Sequence, residues 1–526
     1  MWTRGWRGRL WSELDREWDF IVVGGGITGA GILREAARAG LRPLLVEARD
    51  FASGTSSRSS KLVHGGLRYL KQGEIKLTFE SVRERERLLK EGRGLITQLG
   101  FLLPNFAGDS PPAWVFGLGL ILYDMLALHW SHRHYDALDM RDLCPSLAER
   151  GLLGGYRYFD AQTDDARLVL RLIREAVREG GAALNYARVE GLLRDRSGQV
   201  RGVVLRDQVA CRDAEVRAGV VINASGAWAD DLRAHVGRPR RLRRLRGSHL
   251  IFSAQRFPLR RAVSFLHPFD RRPVVVSPWE GVTLFGTTDV DHASPLEAEP
   301  VISASEVGYL LAALRYAFPA LDLGPTDVQA TFSGVRSVVD TGKADPSKES
   351  REHVLWNEAG LLTVTGGKLT TFRRMAHAAL QAVRARLPGR LAFDSRPRML
   401  SAPPDLGDAP SGRLSDPAML LRLSGRYGGD APQLIAAAQP DELRPISASS
   451  ALWAELRWAA RAEGVVHLDD LLLRRVRLGL LLPRGGWDQL DRIRAIVQPE
   501  LGWGDDRWHR EAAAYAGLWH ESYSLS

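Results

Sequence analysis

Residues Asp19–Gly31 read Asp-Phe-Ile-Val-Val-Gly-Gly-Gly-Ile-Thr-Gly-Ala-Gly. Phe20 to Val23 is a short apolar run of the kind carried by a strand buried on both faces, and Gly24, Gly26 and Gly29 then fill the glycine positions of G-x-G-x-x-G. Gly24 allows the tight turn, Gly26 lets a pyrophosphate approach the backbone, and Gly29 lets the next helix pack against the strand. Open N–H groups and the positive dipole end at that helix start stabilise an anion. Ala30 to Ala39 reads as the helix, ended by Gly40, and Pro43 to Val46 as a second buried strand that closes on Glu47. Glu47 lies 23 positions after Gly24, where a ribose-binding carboxylate is expected, and a carboxylate suits free adenosine hydroxyls better than a 2′-phosphate. A glycine-rich turn in some other α/β protein is the bland alternative. Strand, glycines, helix, strand and acid in register weigh against it.

Beyond Glu47, Phe51 to Leu70 is rich in small polar residues. Thr55, Ser56 and Ser57 can contact a pyrophosphate or a flavin edge, and His64, Arg68 and Tyr69 can face a substrate. Helical stretches are expected from Glu74 to about Gln98. Ala187 to Leu193 and Val200 to Leu205 look like a hairpin, and Gly219 to Asn223 reads as a third buried strand entering Ala224-Ser225-Gly226-Ala227-Trp228. The nucleotide-binding sheet therefore resumes here after an insertion. From Arg240 the text turns strand-like, with an arginine cluster interrupted by Leu242 and Leu245 that reads as an exposed strand or loop. Leu361 to Thr365 is a last strand, and Gly366-Gly367-Lys368-Leu369-Thr370-Thr371 is a second glycine turn feeding a helix. Past a Pro/Gly/Asp-rich break at Ser401 to Ser415 the chain reads as helical.

At 526 residues the chain is too long for one compact domain. The net charge of +10 invites nucleic acid or an anionic membrane, yet only seven of 72 basic residues are lysine, which is the mark of a chain-wide arginine bias. It also makes Lys61 and Lys368, inside motifs, stand out. Cys144 and Cys211 are far apart and in no C-x-x-C, so a reducing compartment is favoured and no metal site is expected. The histidines of 129–134 read as a surface loop. No signal peptide is read at the start. Trp2, Trp6, Leu10 and Leu14 recur every four residues among arginines, so a helix there would form an interfacial stripe, although Gly5 and Gly8 make a frayed tail an equal expectation. The apolar run Ala113 to Leu128 is shorter than a membrane span and contains Asp124, so no transmembrane helix is read.

Seven motifs then occur in order: GGGITGAGILREAARAGL, TSSRSSKLVHGGLRYL, DDARLVL, RGSHLIF, GTTDVD, SGVRSVVD and GGKLTTFRRMA. Together they resemble the FAD-dependent glycerol-3-phosphate dehydrogenases of the D-amino-acid-oxidase-like superfamily, from about Trp18 to Leu380. The tail HLDDLLLRRVRLGL, His467 to Leu480, is similar to that family's helical C-terminal domain. The resemblance implies an α/β architecture: a Rossmann-like FAD-binding domain (18–84, 156–230, 332–400), an antiparallel-sheet substrate cap (85–155, 231–331) and a helical C-terminal domain (401–526), after a basic, tryptophan-rich segment (1–17). It implies non-covalent FAD held by Gly24, Gly26, Gly29, Glu47, Thr55, Ser56, Ser57, Gly226, Gly367, Lys368, Leu369 and Thr370. It further implies oxidation of sn-glycerol 3-phosphate to dihydroxyacetone phosphate, with electrons passed to a membrane quinone. By match to the motifs, Arg336 and Arg351 hold the phosphate, Arg68 and Tyr69 belong to the pocket, His249 is the base, and Lys368 sits beside the flavin or substrate.

Without the cysteine module of one family branch and the long insertion of the oxidase branch, the chain matches the single-chain respiratory type. The implied setting is cytoplasmic, peripheral on the inner face of the cell membrane and bound to its anionic surface. The N-terminal segment is the expected anchor, with the C-terminal domain and its six tryptophans, Trp453 to Trp519, as competitor. Nucleic acid is not an expected partner. A homodimer is one open option. The alternatives are an amine or amino-acid oxidase of the same superfamily and a basic RNA-modifying flavoprotein.

Overall fold

The computed structural model describes residues 2–67, 74–110, 113–127, 130–343, 349, 352–387, 398–406 and 414–525. The first of its two sheets runs His353–Glu358, Leu361–Gly366, Asp213–Asn223, Trp18–Val23, Pro43–Val46, Ala182–Leu184. All neighbours are parallel except the outermost pair, His353–Glu358 and Leu361–Gly366. Trp18–Val23 lies inside this sheet because both its faces are apolar. Phe20 and Val22 enter one core with helices Ile27–Arg38, Asp165–Arg178 and Phe372–Val383, while Ile21 and Val23 enter another beneath the hairpin Ala187–Arg194/Val200–Asp207. The glycine turn is tight: Gly24 has φ +115°, and a Cβ on Gly29 would lie 1.9 Å from the Gly24 carbonyl oxygen. A side chain at Gly29 pushes helix and strand apart, and one at Gly24 runs into the Ala224–Ser225 backbone at 2.5 Å from the Ala224 carbonyl oxygen.

The second sheet has the order Val290–Asp291, Leu242–Ser253, Val282–Gly286, Pro273–Trp279, Ala262–Leu266, Ile96–Phe106, Leu152–Thr163, Leu62–Val63, with Val328–Val339 beside Leu242–Ser253. It is antiparallel except between Ala262–Leu266 and Ile96–Phe106. The boundaries expected at 156 and 332 fall inside the strands Leu152–Thr163 and Val328–Val339, and those expected at 85 and 231 inside the helices Ile75–Glu91 and Ala229–Ala234. The helical stretch expected to reach Gln98 ends at Glu91, because Ile96 starts a strand. The arginine cluster lies in the Leu242–Ser253 strand and is matched by acids: Arg243 to Asp291, Arg244 to Asp231 and Arg246 to Glu306.

The C-terminal helices pack on the second sheet through Trp279, Leu284 and Phe332. They are also pinned to the first sheet's domain by buried charges. Arg474 and Arg475 each reach Asp50 at 2.6 Å, Arg477 reaches Asp165 at 2.9 Å, and Arg167 reaches Glu463 at 2.5 Å. Burial pushes the Asp50 carboxyl up, but Arg475 and Arg474 outweigh that and hold it below the usual range.

The N-terminal segment does not form the expected interfacial stripe. Its helix, Trp6–Ser12, turns its tryptophans inward: Trp2 is 5% exposed and stacks on Phe51 at 5.1 Å, while Trp11 and Trp18 are buried and Arg7 pairs with Asp207. Interior packing of these large rings stabilises more than a surface position would.

Candidate active site

The carboxyl ends of the first sheet and one face of the second enclose a cavity of about 1230 Å³. Its lining from the first sheet includes Gly24, Gly26, Glu47, Thr55, Ser56, Gly226, Gly367, Lys368, Leu369 and Thr370. From the second it includes His249 and Arg336, with His64 on the loop between. Crevices beyond the carboxyl ends of parallel strands are where α/β proteins bind ligands.

The phosphate-facing side is built locally. Gly26 precedes the helix Ile27–Arg38 and gives it no side-chain cap, so its first turn stays open toward the cavity, while Ile27 N–H donates to Ser56 Oγ at 2.9 Å. Glu47 Oε2 accepts from Gly25 N–H at 2.7 Å and its Oε1 from Arg49 N–H at 2.9 Å. Burial raises the Glu47 carboxyl above its usual range. Ser57 is the exception among the predicted hydroxyls. It does not line the cavity: its carbonyl accepts from Lys61 Nζ at 2.5 Å and from Arg477 at 2.9 Å, which fixes it in the wall behind. Gly29 also stands outside the lining, spent on helix packing.

On the second sheet, His249 is stacked on Phe332 at 4.6 Å and its Nε2 shares a 2.8 Å hydrogen bond with Ser60 Oγ. The ring is accommodated by Gly286, where a Cβ would come within 2.3 Å of His249 Cδ2. Burial, then the charge of Lys61, hold the imidazole down at about 3, so it is neutral at physiological pH. Arg336 pairs with the buried Asp289, which also meets Arg272 at 3.0 Å. Two guanidiniums on one carboxylate leave that corner positive. Arg68, Tyr69 and Arg351 lie outside the described residues.

Sequence reading missed Ser60, Asp289 and Arg272. It also missed Arg49, which lines the cavity with its guanidinium 5.9 Å from the centre of the Trp228 ring. The run Ser59-Ser60-Lys61 carried a signal for Ser60. Asp289 is 47 residues from its arginine and carried none. Neither Cys144 nor Cys211 lines the cavity. Among the described residues no group of His, Cys, Asp and Glu could hold a metal ion.

Residues 19–373 match the family described as FAD dependent oxidoreductase, and residues 374–508 match the C-terminal domain of alpha-glycerophosphate oxidase. The aerobic glycerol-3-phosphate dehydrogenase of Staphylococcus aureus (strain USA300) is 33% identical over 482 residues, 87% of this chain and 86% of the relative. The chain belongs to the FAD-dependent glycerol-3-phosphate dehydrogenase family. A solved glycerol-3-phosphate dehydrogenase from Bacillus halodurans, complexed with FAD, superposes with a TM-score of 0.79 at 26% identity, covering 99% of this chain and 98% of that one. An L-alpha-glycerophosphate oxidase from Mycoplasma pneumoniae, at 17% identity and a TM-score of 0.59, covers 74% of this chain and 99% of its own, and shares the fold.

The residues present fit the family's FAD. Gly26 has only Ser56 near its missing Cβ, Gly226 has φ +61° and nothing within 4 Å, and both border the cavity. The open helix start, Glu47 and the 366–370 turn supply the donors and acceptor that a dinucleotide requires.

Proposed function

We propose that this protein oxidises sn-glycerol 3-phosphate to dihydroxyacetone phosphate and passes the electrons to a lipid-soluble quinone, working on the anionic inner face of the cell membrane. The observation that carries this reading is one cavity that joins the dinucleotide turn to a neutral histidine and a positive arginine corner. Bound FAD supplies the hydride acceptor for the substrate's C2. Gly24, Gly26, Glu47, Thr55, Ser56, Gly226, Gly367, Lys368, Leu369 and Thr370 would hold it, and the Lys368 charge stabilises negative charge arriving there.

Arg336 binds the phosphate, since a planar guanidinium suits a dianion, and Asp289 orients it. By their match to the family's motifs, Arg351, Arg68 and Tyr69 are assigned to substrate binding as well. His249 accepts the C2 hydroxyl proton at Nε2, the nitrogen beside Ser60, as C2 gives up its hydride.

The test is anaerobic flavin reduction with sn-glycerol 3-phosphate, glycerol and D-amino acids. Only the phosphate ester should bleach the flavin, and bleaching by an amino acid alone would replace this reading with that of an amine oxidase. Arg336→Ala should raise KM by the equivalent of about 2 kcal/mol. His249→Ala should lower kcat, and the wild-type kcat/KM should show no limb from this residue near the roughly 6.5 of free imidazole.

A further inference from the structure

The Ala113–Ala127 helix carries one charged residue in fifteen, Asp124, and that residue is turned inward. Its carboxylate accepts from Ser131 N–H at 2.7 Å and His132 N–H at 3.0 Å and pairs with His132 Nδ1 at 2.7 Å. The outer face is therefore free of charge among the described residues. It presents Trp114, Leu118 and Met125, spaced on one helical face and 64%, 57% and 61% exposed. The helix Ile75–Glu91 packs alongside, tied by Arg85 Nη1 to Tyr123 Oη at 2.7 Å, and adds the exposed Ile75 and Phe79. Exposed apolar side chains gathered on two packed helices mark a docking face.

Three observations choose its occupant. The rim is basic on balance: Lys76, Arg83 and Arg133 are exposed, Glu80 and Glu86 are matched by Arg374 and Arg85, and the half-buried Glu74 is the acid beside Ile75. At about 1.5 Å per residue the helix is near 22 Å long, short of the roughly 30 Å of a hydrocarbon core, so it suits a position in the headgroup plane. Among the described residues no helix is long and apolar enough to cross a membrane. Finally, the inner side of the same helix lines the cavity through Val115, Phe116, Gly119 and Leu122, and Leu118 stands at its rim, both lining and exposed.

We propose that this face, with Ile75 and Phe79, docks into the headgroup region of an anionic phospholipid bilayer and opens the cavity toward the lipid. The inference rests on the quinone-linked reading above and names the surface that serves it. The test uses the FAD-loaded full chain and vesicles of phosphatidylcholine with or without phosphatidylglycerol. The wild type should co-sediment with the anionic vesicles. Trp114→Asp combined with Met125→Asp should weaken that binding roughly tenfold or more, with flavin content and dye-linked turnover of sn-glycerol 3-phosphate retained. Trp487→Asp, at an exposed position of the C-terminal domain, should bind as wild type. Unaltered binding of the double variant overturns the proposal. So does a wild type that ignores vesicles, or a double variant whose only change is loss of self-association in light scattering, since the face would then cover a second copy. In each of these cases dye-linked turnover would leave the substrate assignment standing.

Discussion

Two tryptophan-bearing segments, residues 2–18 and 113–130, have exchanged the roles that composition suggests. The first combines tryptophans with arginines, as an interfacial anchor does, yet Trp2, Trp11 and Trp18 are core residues and the half-buried Arg7 pairs with Asp207. The second is a plain apolar run with an acid in it, yet it leaves Trp114 and Trp130 in solvent. The difference lies in what each backbone finds to pack against. Phe51 and the hairpin around Ala187 and Leu205 offer the first segment an apolar bed. Asp124 anchors the second by its inner edge and leaves the outer face unpartnered.

The sharpest way to break this contrast is Trp2→Ala. Removal of a buried indole should cost about 3–5 kcal/mol of stability in chemical denaturation, while the folded fraction keeps its affinity for anionic vesicles. A stable variant with lost vesicle binding would restore the N-terminal segment as the anchor. Next comes the basic rim. Lys76→Glu and Arg83→Glu should each weaken binding to anionic vesicles by about 1 kcal/mol at low salt, and the loss should fade as ionic strength rises. The smallest effect is expected on the stability of Trp114→Ala, within about 0.5 kcal/mol of wild type. A larger loss in its melting transition would mean that this ring is packed in solution.

Local signals in the sequence carried the fold well. The run Phe20–Val23, the glycine turn after it and the Gly366-Gly367-Lys368 turn are each written in neighbouring residues, and each forms the expected strand end or helix start. Faces and distant partners were not legible. Three consecutive hydroxyls, Thr55 to Ser57, look alike on paper, but a tight 3-10 turn sends the third into the wall, where Lys61 and Arg477 take its carbonyl. Arg336 could be matched to a phosphate by its motif, but its neutralising partner Asp289 arrives from another strand connection.

The buried arginines of the C-terminal domain have a consequence for how this chain can be recombined. Asp50, Asp164 and Asp165 sit in the flavin-binding half, and their guanidinium partners Arg474, Arg475, Arg426 and Arg477 come from the tail. A crossover between the two halves, placed between residues 374 and 425, that brought in a tail without these charges would strip Asp50 and Asp164 of their guanidinium partners and leave Asp165 with Lys61 alone. Breaking a buried pair by removing one partner costs about 3–5 kcal/mol, a large fraction of a domain's stability. The two halves are therefore heritable only as a matched set.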